Sequence, residues 1–476
     1  MPGVPGAPRP PRGPGRAAWV VALLGAAVLL AATGAVALRT LGGADPDGTV
    51  PAAAAAAAGD PRATGVNAAL ALMARGLRAH DEATFLSAVG PRDAALRTRQ
   101  RAFYRGLAAL PLKDVQVSWD GERLRAPARP AGYPAGTVVV IAELRYLIDG
   151  WDDEPVDDAL VLTMAPSGSH WLVVGDGEAA GDSNRRYLEP WSTGSALVVE
   201  RRPHVLAVGD AAHRSDVRRL ADRLEDVTAD VRARWSEPSW NGRVVAYAAT
   251  DPRFVQAWFD AQAATGPPRD RPAAQPTWEA RVGNLARSAA EADAATGPPR
   301  LVVTPYVLGR SDARVVSTLR HEVTHVATAR VGRPVPGWLA EGAAEYTGFR
   351  LGGSRVDALR TFTQHGLTGQ AAEQLRRGTW TPQLRTDRES FYRGSADEVA
   401  AGYLDGWLAS LYIADRYGDA VLSRFYDVAS AQPAEASSDV VEVAALRAVL
   451  GTDHAGFVAA VRVYGTSLYR RATGTS

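Results

Sequence analysis

The chain of 476 residues contains no cysteine and only three methionines. Without cysteine it can form no disulfide bond, and it can offer no thiolate to a metal ion. Any metal site must therefore be built from histidine nitrogen and carboxylate oxygen. Histidine is also scarce, with eight residues in the whole chain, so two histidines close together in the sequence are informative.

The chain also lacks an excess of charge of either sign. Its 53 basic and 52 acidic residues give a formal net charge of +1, and no basic stripe is interleaved with aromatic residues. This balance gives no electrostatic support for binding to nucleic acid. The length alone predicts about three domains, enough for sizeable hydrophobic cores.

The strongest motif is HEVTH, an HExxH sequence that runs from His321 to His325. On a helix, histidines at positions i and i+4 lie one turn apart on one face, where both imidazoles can bind one metal ion. Glu322 stands beside them, within reach of a water on that metal, and is the candidate general base. An apolar stripe at three- and four-residue steps predicts a helix over Ser311–Arg330.

A second acidic segment follows a break in the pattern. The glycines and prolines of residues 332–337 end the first helix, and a second helix is expected to begin near Trp338. This helix carries Glu341, which we expect to return to the two histidines as the third metal ligand. Two imidazoles, one carboxylate and an open fourth position are the ligand set of a catalytic zinc. The alternative is an ordinary amphipathic helix pair with solvated side chains.

The segments HEVTH and WLAEG, the latter at residues 338–342, resemble the gluzincin metallopeptidases, and especially the bacterial peptidase-MA-like domains. The resemblance covers the organisation of Val198–Ser476 and implies that Glu341 is the third zinc ligand. A later segment, Gly402 to Gly406, is similar to the Tyr-x-x-Gly helix start of the family. It implies that Tyr403 donates a hydrogen bond to the oxyanion. The alternative for Tyr403 is a core tyrosine with a satisfied hydroxyl.

The chain departs from this family in two respects. Only residues 326–340 separate His325 from Glu341, fewer than in the aminopeptidase branch, so the connecting loop is tighter. Glu345 lies one helical turn after Glu341 and is a competing ligand, but we assign it to accept the N–H of a ligating imidazole. The second departure is that no methionine lies in a Gly-x-Met-Glu-Asn strand, so an endopeptidase is expected rather than an exopeptidase.

A peptide substrate should be aligned by main-chain pairing to an exposed edge strand. The candidates are the apolar runs Val244–Ala248 and Leu301–Thr304, and the alternative is that both are core strands. Two copies of the sequence AATGPPR, at residues 263–269 and 294–300, are interpreted as turn-forming breaks on either side of a helical stretch.

The amino terminus predicts export. Residues 1–16, rich in proline and glycine with three arginines, are expected to form a disordered cytoplasmic tail. The uncharged apolar run Ala17–Leu38 is long enough to span a bilayer, and the positive-inside rule places everything after it outside the cell. The alternative is a cleaved signal peptide with a site near residues 35–37. Residues 39–63 are predicted to form a linker.

Residues 64–181 are predicted to form a separate module. Two helical stretches, Val66–Arg78 and Ala94–Leu110, precede four strand-like runs, several of which alternate apolar and polar residues. Helices followed by an antiparallel meander resemble the NTF2-like α+β cone, for which a spacer or substrate-presenting role is expected by fold analogy alone. His170, beside Trp171, is interpreted as a strand-end residue because no second ligand lies at a useful spacing.

Residues 196–476 are predicted to form the metallopeptidase domain, which makes the fold class of the whole chain α+β. Two strands and a long helix, Arg214–Trp235, precede HEVTH, and the chain after Tyr346 is mostly helical. The family resemblance implies a mixed-sheet upper lobe and a helical lower lobe around a cleft. Four other histidines of this domain are interpreted as structural or surface residues, the last two without partners: His204, His213, His365 and His454.

The favoured function is therefore an exported, membrane-anchored zinc metallopeptidase that acts on a peptide or protein substrate. The rival is a zinc-containing binding or scaffold domain at the cell surface that has lost turnover. Glu322 argues against the rival, because a site that only holds a metal has no need of a base at that position.

Overall fold

The structure, a computed structural model, describes thirteen stretches of the chain from Asp60 onward. They are residues 60–121, 124–125, 133–176, 190–192, 194–235, 240–250, 280–284, 298–308, 313–328, 335–349, 370–392, 395–433 and 435–473. The predicted tail, the predicted membrane span Ala17–Leu38 and His365 lie outside these stretches. Within them, no helix has both the length and the apolar character needed to cross a bilayer.

The first part of the described chain is an antiparallel sheet with helices packed on it. The helices are α1 (Pro61–Ala79), α2 (Glu82–Ser87) and α3 (Ala94–Ala108), and the strands are β1 (Leu112–Ser118), β2 (Leu124–Arg125), β3 (Val138–Ile148), β4 (Val156–Ser167) and β5 (His170–Asp176). The carboxylates of Asp81 and Asp93 cap the N termini of α2 and α3. The sheet order is β1-β3-β4-β5, with β2 beside β3. These elements confirm the predicted helices and meander.

The second part is a mixed sheet followed by helices. Its first elements are β6 (Leu197–Arg201), β7 (Val205–Asp210), α4 (Arg214–Arg232), β8 (Val244–Ala248), β9 (Ala280–Asn284), β10 (Pro299–Val303) and α5 (Pro305–Leu308). The sheet order is β6-β7-β8-β10-β9, in which β7, β8 and β10 are parallel and the two outer strands are antiparallel. The described part of the chain is therefore α+β with two sheets, as the sequence pattern predicts.

The sheet order corrects the prediction of the edge strands. Val244–Ala248 and Pro299–Val303 both lie inside the sheet, and among the described residues the edge strand next to β10 is Ala280–Asn284. That edge strand lies in the segment predicted to be helical between the two AATGPPR copies, so the helix prediction was wrong for residues 280–284; the rest of the segment lies outside the described residues. Neighbours in a sheet are set by long-range pairing, which overrides local propensity in a short alanine- and arginine-containing segment.

The remaining elements are helical and carry the candidate site. They are α6 (Ala313–Thr328), α7 (Gly337–Gly348), α8 (Gln370–Arg377), α9 (Arg388–Phe391), α10 (Ala396–Tyr417), α11 (Asp419–Ser430), α12 (Ser438–Ala445), a π-helical turn (Leu446–Leu450) and α13 (His454–Thr473). Helix α6 packs between α4 and α7, and α7 packs between α6 and α10. The predicted helices around HEVTH and WLAEG are confirmed, each to within a few residues.

A buried ion pair joins the two sheets. The guanidinium of Arg300, on β10, donates two hydrogen bonds of 2.7 Å to the carboxylate of Asp152, which follows β3. Both side chains are almost fully buried. Beside them, the Trp191 ring forms T-shaped contacts with the rings of Tyr146 and Tyr247. The centroid of Trp191 lies 6.0 Å from the centroid of each tyrosine ring. The first sheet is therefore packed firmly against the sheet that leads into the HEVTH helix.

Candidate metal centre

Helix α6 places the two histidines of HEVTH side by side. The Nε2 atoms of His321 and His325 lie 3.0 Å apart, and their ring centroids are 4.7 Å apart. Leu319, on the opposite face of the helix, is completely buried. The Nε of Arg320 donates a 2.9 Å hydrogen bond to Asp230 of α4. One face of α6 is thus anchored in the core, and the other presents both imidazoles together.

Helix α7 brings Glu341 to the same point. The backbone N–H groups of Gly337 and Trp338 donate to the carbonyl oxygens of Thr386 and Arg385, at 2.7 and 2.9 Å, and these bonds hold the start of the helix. One turn later, Oε2 of Glu341 lies 3.4 Å from the Nε2 atom of each imidazole. Only 3 % of Glu341 is exposed. The carboxylate therefore faces the two histidines from within the protein.

A glycine lets α7 approach the histidine helix closely. A Cβ added to Gly348 would lie 2.9 Å from the carbonyl oxygen of Ser317 and 3.5 Å from Cβ of His321. A larger residue at position 348 would push the two helices apart. This contact brings the end of α7 close to the turn of α6 that carries His321.

The three donor atoms have the spacing that a tetrahedral metal ion requires. Ligand atoms about 2.0–2.1 Å from tetrahedral zinc lie roughly 3.3 Å from each other. The separations among the Nε2 atoms of His321 and His325 and Oε2 of Glu341 are 3.0, 3.4 and 3.4 Å. This group can hold a metal ion, and no second cluster of metal-ligating side chains occurs in the part of the chain that the structure describes.

The electrostatics of the group couple metal binding to protons. Although burial opposes charge on the His321 imidazole, the negative charge of Glu345 and hydrogen bonds to Glu341 and Glu345 raise the pKa of His321 well above its usual value. Burial likewise opposes ionisation of Glu341, but His325 and His321 lower the pKa of that carboxyl well below its usual range. A metal ion must displace the imidazole proton, so its binding becomes stronger as pH rises.

Glu345 lies on the far side of the His321 ring. Its Oε1 is 3.4 Å from Nδ1 of His321, whereas Glu341 approaches the Nε2 side of the same ring. A carboxylate at Nδ1 favours the tautomer in which Nε2 is free to bind a metal. The role assigned to Glu345 from the sequence requires a contact of this kind, and the role itself stays a prediction.

Glu322 and Tyr403 complete the predicted set. Burial, and next the charge of Glu341, raise the pKa of Tyr403 well above its usual value, and Glu322 acts in the same direction. The Tyr403 hydroxyl therefore keeps its proton at neutral pH and can donate a hydrogen bond. The ring of Tyr403 lies 6.2 Å from that of His321, measured between centroids. Glu322 is half-buried, one residue after His321 on α6.

The structure adds one residue that the sequence pattern did not indicate. The hydroxyl of Tyr392 donates a short hydrogen bond to Oε1 of Glu341, the oxygen that does not face the imidazoles. Tyr392 directly follows the short helix α9 and lies 51 residues from Glu341 in the sequence. No local periodicity links two positions so far apart, so no sequence signal could have identified this contact.

The remaining described histidines lie outside the group. His170 is exposed at the start of β5, as predicted. The Nδ1 atom of His204 lies 2.5 Å from Oε1 of Glu225, and Nδ1 of His213 lies 3.4 Å from Oδ2 of Asp216. The prediction that His454 has no partner was wrong, because its Nδ1 lies 2.7 Å from Oε2 of Glu442. Glu442 is buried, and such a carboxylate needs a polar partner that only the tertiary structure can supply.

Comparison with known proteins adds no relative. No protein-family model matches the chain, and no curated protein is significantly similar to it. Inference about its function therefore depends on its own residues.

Proposed function

We propose that the chain is a membrane-anchored zinc metallopeptidase that hydrolyses internal peptide bonds outside the cell. The observation that carries this proposal is the triangle of His321, His325 and Glu341 donor atoms, with Glu322 on the same helix. The HEVTH and WLAEG segments support a gluzincin-type domain with a mixed-sheet lobe and a helical lobe. The helices and antiparallel sheet of residues 61–176 support an NTF2-like module that serves as a spacer or presents substrate.

Zinc is the metal that best suits this donor set. Two imidazole nitrogens and one carboxylate oxygen are its common catalytic ligands, and the chain has no thiolate to offer. Three protein ligands leave a fourth tetrahedral position free. Calcium and magnesium prefer six or more oxygen ligands, and only one of the three donor atoms in the His321–His325–Glu341 group is a carboxylate oxygen.

The mechanism assigns each side chain a separate task. When bound, zinc lowers the pKa of a coordinated water to about 7 and polarises the substrate carbonyl. Glu322 accepts the proton of the attacking water and passes it to the leaving amine nitrogen. Tyr403, held in its protonated form, donates a hydrogen bond to the carbonyl oxygen as negative charge develops on it. Glu345 keeps the His321 ring in the productive tautomer.

The edge strand β9 is the element that we propose to align the substrate. It pairs with β10 on one side, and no other strand of the described residues pairs with its second side. Helix α6, which carries both histidines, packs against β9. An extended peptide added to this edge would run along the metal group and be held through its main chain, which allows many side chains to be accepted.

Export rests on the sequence alone. The apolar run Ala17–Leu38 and the three arginines before it support a single-pass anchor with the amino terminus in the cytoplasm. A cleaved signal peptide would release the same domain, and in both cases the metal group lies outside the cytoplasm. The amino-terminal sequence of the purified mature protein distinguishes the two forms.

The test separates metal binding from catalysis. We expect Glu322→Gln to bind zinc as the wild type does and to lose cleavage of casein or a peptide library, because the amide cannot accept the proton. Glu373→Gln, on the exposed surface of α8, is the matched control and should keep full activity. Equal activity of Glu322→Gln and wild type would refute the assigned base. Zinc binding without cleavage by the wild type would instead favour a silent scaffold.

A proteomic comparison then addresses the substrate. Cell-surface proteins are incubated with the wild type or with Glu322→Gln, and their new termini are compared. Termini that appear only with the wild type identify the cleaved bonds. A peptidase that binds through the β9 edge is expected to cut extended, flexible segments within its substrates.

A further inference from the structure

The two oxygens of Glu341 have different partners. Oε2 lies 3.4 Å from the Nε2 atoms of both His321 and His325, and Oε1 accepts the hydrogen bond of the Tyr392 hydroxyl. The carboxylate is almost fully buried, so solvent has little access to either oxygen. One oxygen is thus directed at the metal group, and the other is held away from it.

Tyr392 is held by the same segment that anchors the Glu341 helix. Arg385 and Thr386, just before α9, accept hydrogen bonds from the first N–H groups of α7. The guanidinium of Arg385 donates hydrogen bonds to the carbonyl oxygens of Ser390 and Phe391, and these bonds fix the end of α9 relative to Arg385. The position of the tyrosine relative to Glu341 is therefore set by backbone contacts as well as by its own hydroxyl.

The aromatic ring of Tyr392 is packed in place. Its centroid lies 5.2 Å from that of Phe391, which is completely buried, and the two rings meet edge to face. Phe391 also contacts the ring of Tyr403, with centroids 5.1 Å apart. A phenylalanine at position 392 can keep the packing of the ring and lacks the hydroxyl that donates to Glu341.

From these contacts we propose that Tyr392 is a positioning residue for the metal ligand Glu341. Its hydroxyl binds Oε1, so that only Oε2 coordinates the ion and the fourth position stays open for water. A carboxylate has two oxygens and can coordinate through both, which would occupy that position. The inference rests on the proposed function, in that it takes the His321–His325–Glu341 group to be a zinc site.

Removal of the hydroxyl should weaken zinc binding. In Tyr392→Phe, Oε1 of Glu341 loses its buried donor, and the carboxylate is no longer confined to one orientation. Loss of such an outer hydrogen bond raises the dissociation constant of a metal by about 10–100-fold. We expect an increase of this size for zinc, measured by competition with a chelating dye at fixed pH. Circular dichroism of the metal-free protein confirms that the variant is folded.

Tyr464→Phe is the matched control. The Tyr464 hydroxyl also donates to a carboxylate, that of Asp415 at 2.5 Å, but this pair lies on α13 and α10 outside the metal group. The zinc affinity of Tyr464→Phe should equal that of the wild type. Tyr392→Phe with wild-type zinc affinity would overturn the inference.

X-ray absorption at the zinc edge tests the wild type directly and needs no variant. One carboxylate oxygen is expected in the first coordination shell, and coordination by both oxygens of Glu341 contradicts the inference. These outcomes are separate from peptidase activity. If the wild type does not cleave peptides but Tyr392→Phe binds zinc more weakly, the positioning role is supported and the peptidase is refuted. If the wild type cleaves peptides and Tyr392→Phe binds zinc as tightly as the wild type, the peptidase is supported and the positioning role is refuted.

Discussion

Gly342 and Gly406 meet backbone to backbone where helix α7 crosses helix α10. A Cβ added to Gly342 would lie 2.2 Å from the carbonyl oxygen of Gly406, and one added to Gly406 would lie 2.5 Å from the carbonyl oxygen of Trp338. Gly342 directly follows Glu341, and Gly406 is one turn after Tyr403. This crossing therefore sets the distance between the proposed metal ligand Glu341 and Tyr403, the tyrosine proposed to act on the substrate.

Gly406→Ala should destabilise the protein and weaken its metal site. The new methyl group meets backbone atoms that cannot move aside, and overpacking of this kind typically costs about 1–3 kcal/mol. We expect a lower free energy of unfolding in urea and weaker zinc binding. Gly402→Ala, one turn earlier on α10, is the control, because its methyl group would meet only the Phe391 ring, at 3.3 Å. Equal stability of the two variants would argue against the close crossing.

Glu341→Ala and Glu345→Ala should differ in their metal content. Glu341 supplies a donor atom, so its removal leaves two imidazoles, and we expect the purified variant to contain almost no zinc. Glu345 lies at Nδ1 of His321, away from the three donor atoms, and its removal should weaken zinc binding by about 10–100-fold. Elemental analysis and chelator competition measure both effects. The reverse order would reassign the third ligand to Glu345.

Asp405 should make the metal-free protein lose stability as pH rises. Burial raises the pKa of Asp405 to about 7, against the opposing effects of the Gln383 amide, the Trp380 indole and Arg385. Between pH 4 and 7 the folded protein keeps a proton that the unfolded chain has released. The stabilisation is therefore complete below about pH 4, falls as pH rises to about 7, and is absent above it.

Asp405→Asn replaces the ionisable carboxyl group with an amide that does not titrate, so the variant provides the reference for the pH dependence of the wild type. The difference in unfolding free energy between wild type and variant should fall by roughly 2–4 kcal/mol from pH 4 to pH 7, since one pKa unit corresponds to about 1.4 kcal/mol. Urea unfolding in the presence of a chelator measures it. Parallel curves for the two proteins over this range would show that Asp405 is not protonated in the fold.

Removal of the charge of Asp152 alone should lower the free energy of unfolding strongly, because Asp152 forms a buried ion pair with Arg300. Asp152→Asn leaves the buried guanidinium without its counter-charge, and such a loss typically costs about 3–5 kcal/mol. The matched control is Asp157→Asn, because Asp157 pairs with Arg145 at the exposed surface of the same sheet. Exposed pairs contribute about 0–1 kcal/mol. Similar losses in the two variants, measured by urea unfolding, would contradict the buried pairing.

The candidate metal group was largely predictable from the sequence because its signals are local. The spacing of His321 and His325 specifies one face of a helix, and the break before Trp338 indicates where the next helix begins. The helices that result are Ala313–Thr328 and Gly337–Gly348. The return of Glu341 to the histidines needed only these two helices and a short connection.

The edge strand and the partners of buried groups were not predictable in this way. Ala280–Asn284 becomes an edge only because it pairs with β10, and the segment has no strong alternation of its own. Tyr392 reaches Glu341 from 51 positions away, and Arg300 reaches Asp152 from 148. Contacts at such separations depend on how the whole chain closes, which no window of sequence contains.

The sequence by itself determined the nitrogen and oxygen chemistry of the site, the two helices that carry it and the α+β class, because these follow from composition and short-range periodicity. Only the tertiary structure decided which strand of the described sheet is outermost beside β10, which tyrosine contacts the Glu341 carboxylate and how closely α7 and α10 approach. Each of these depends on long-range packing, where the fit of whole elements outweighs the preference of any single segment.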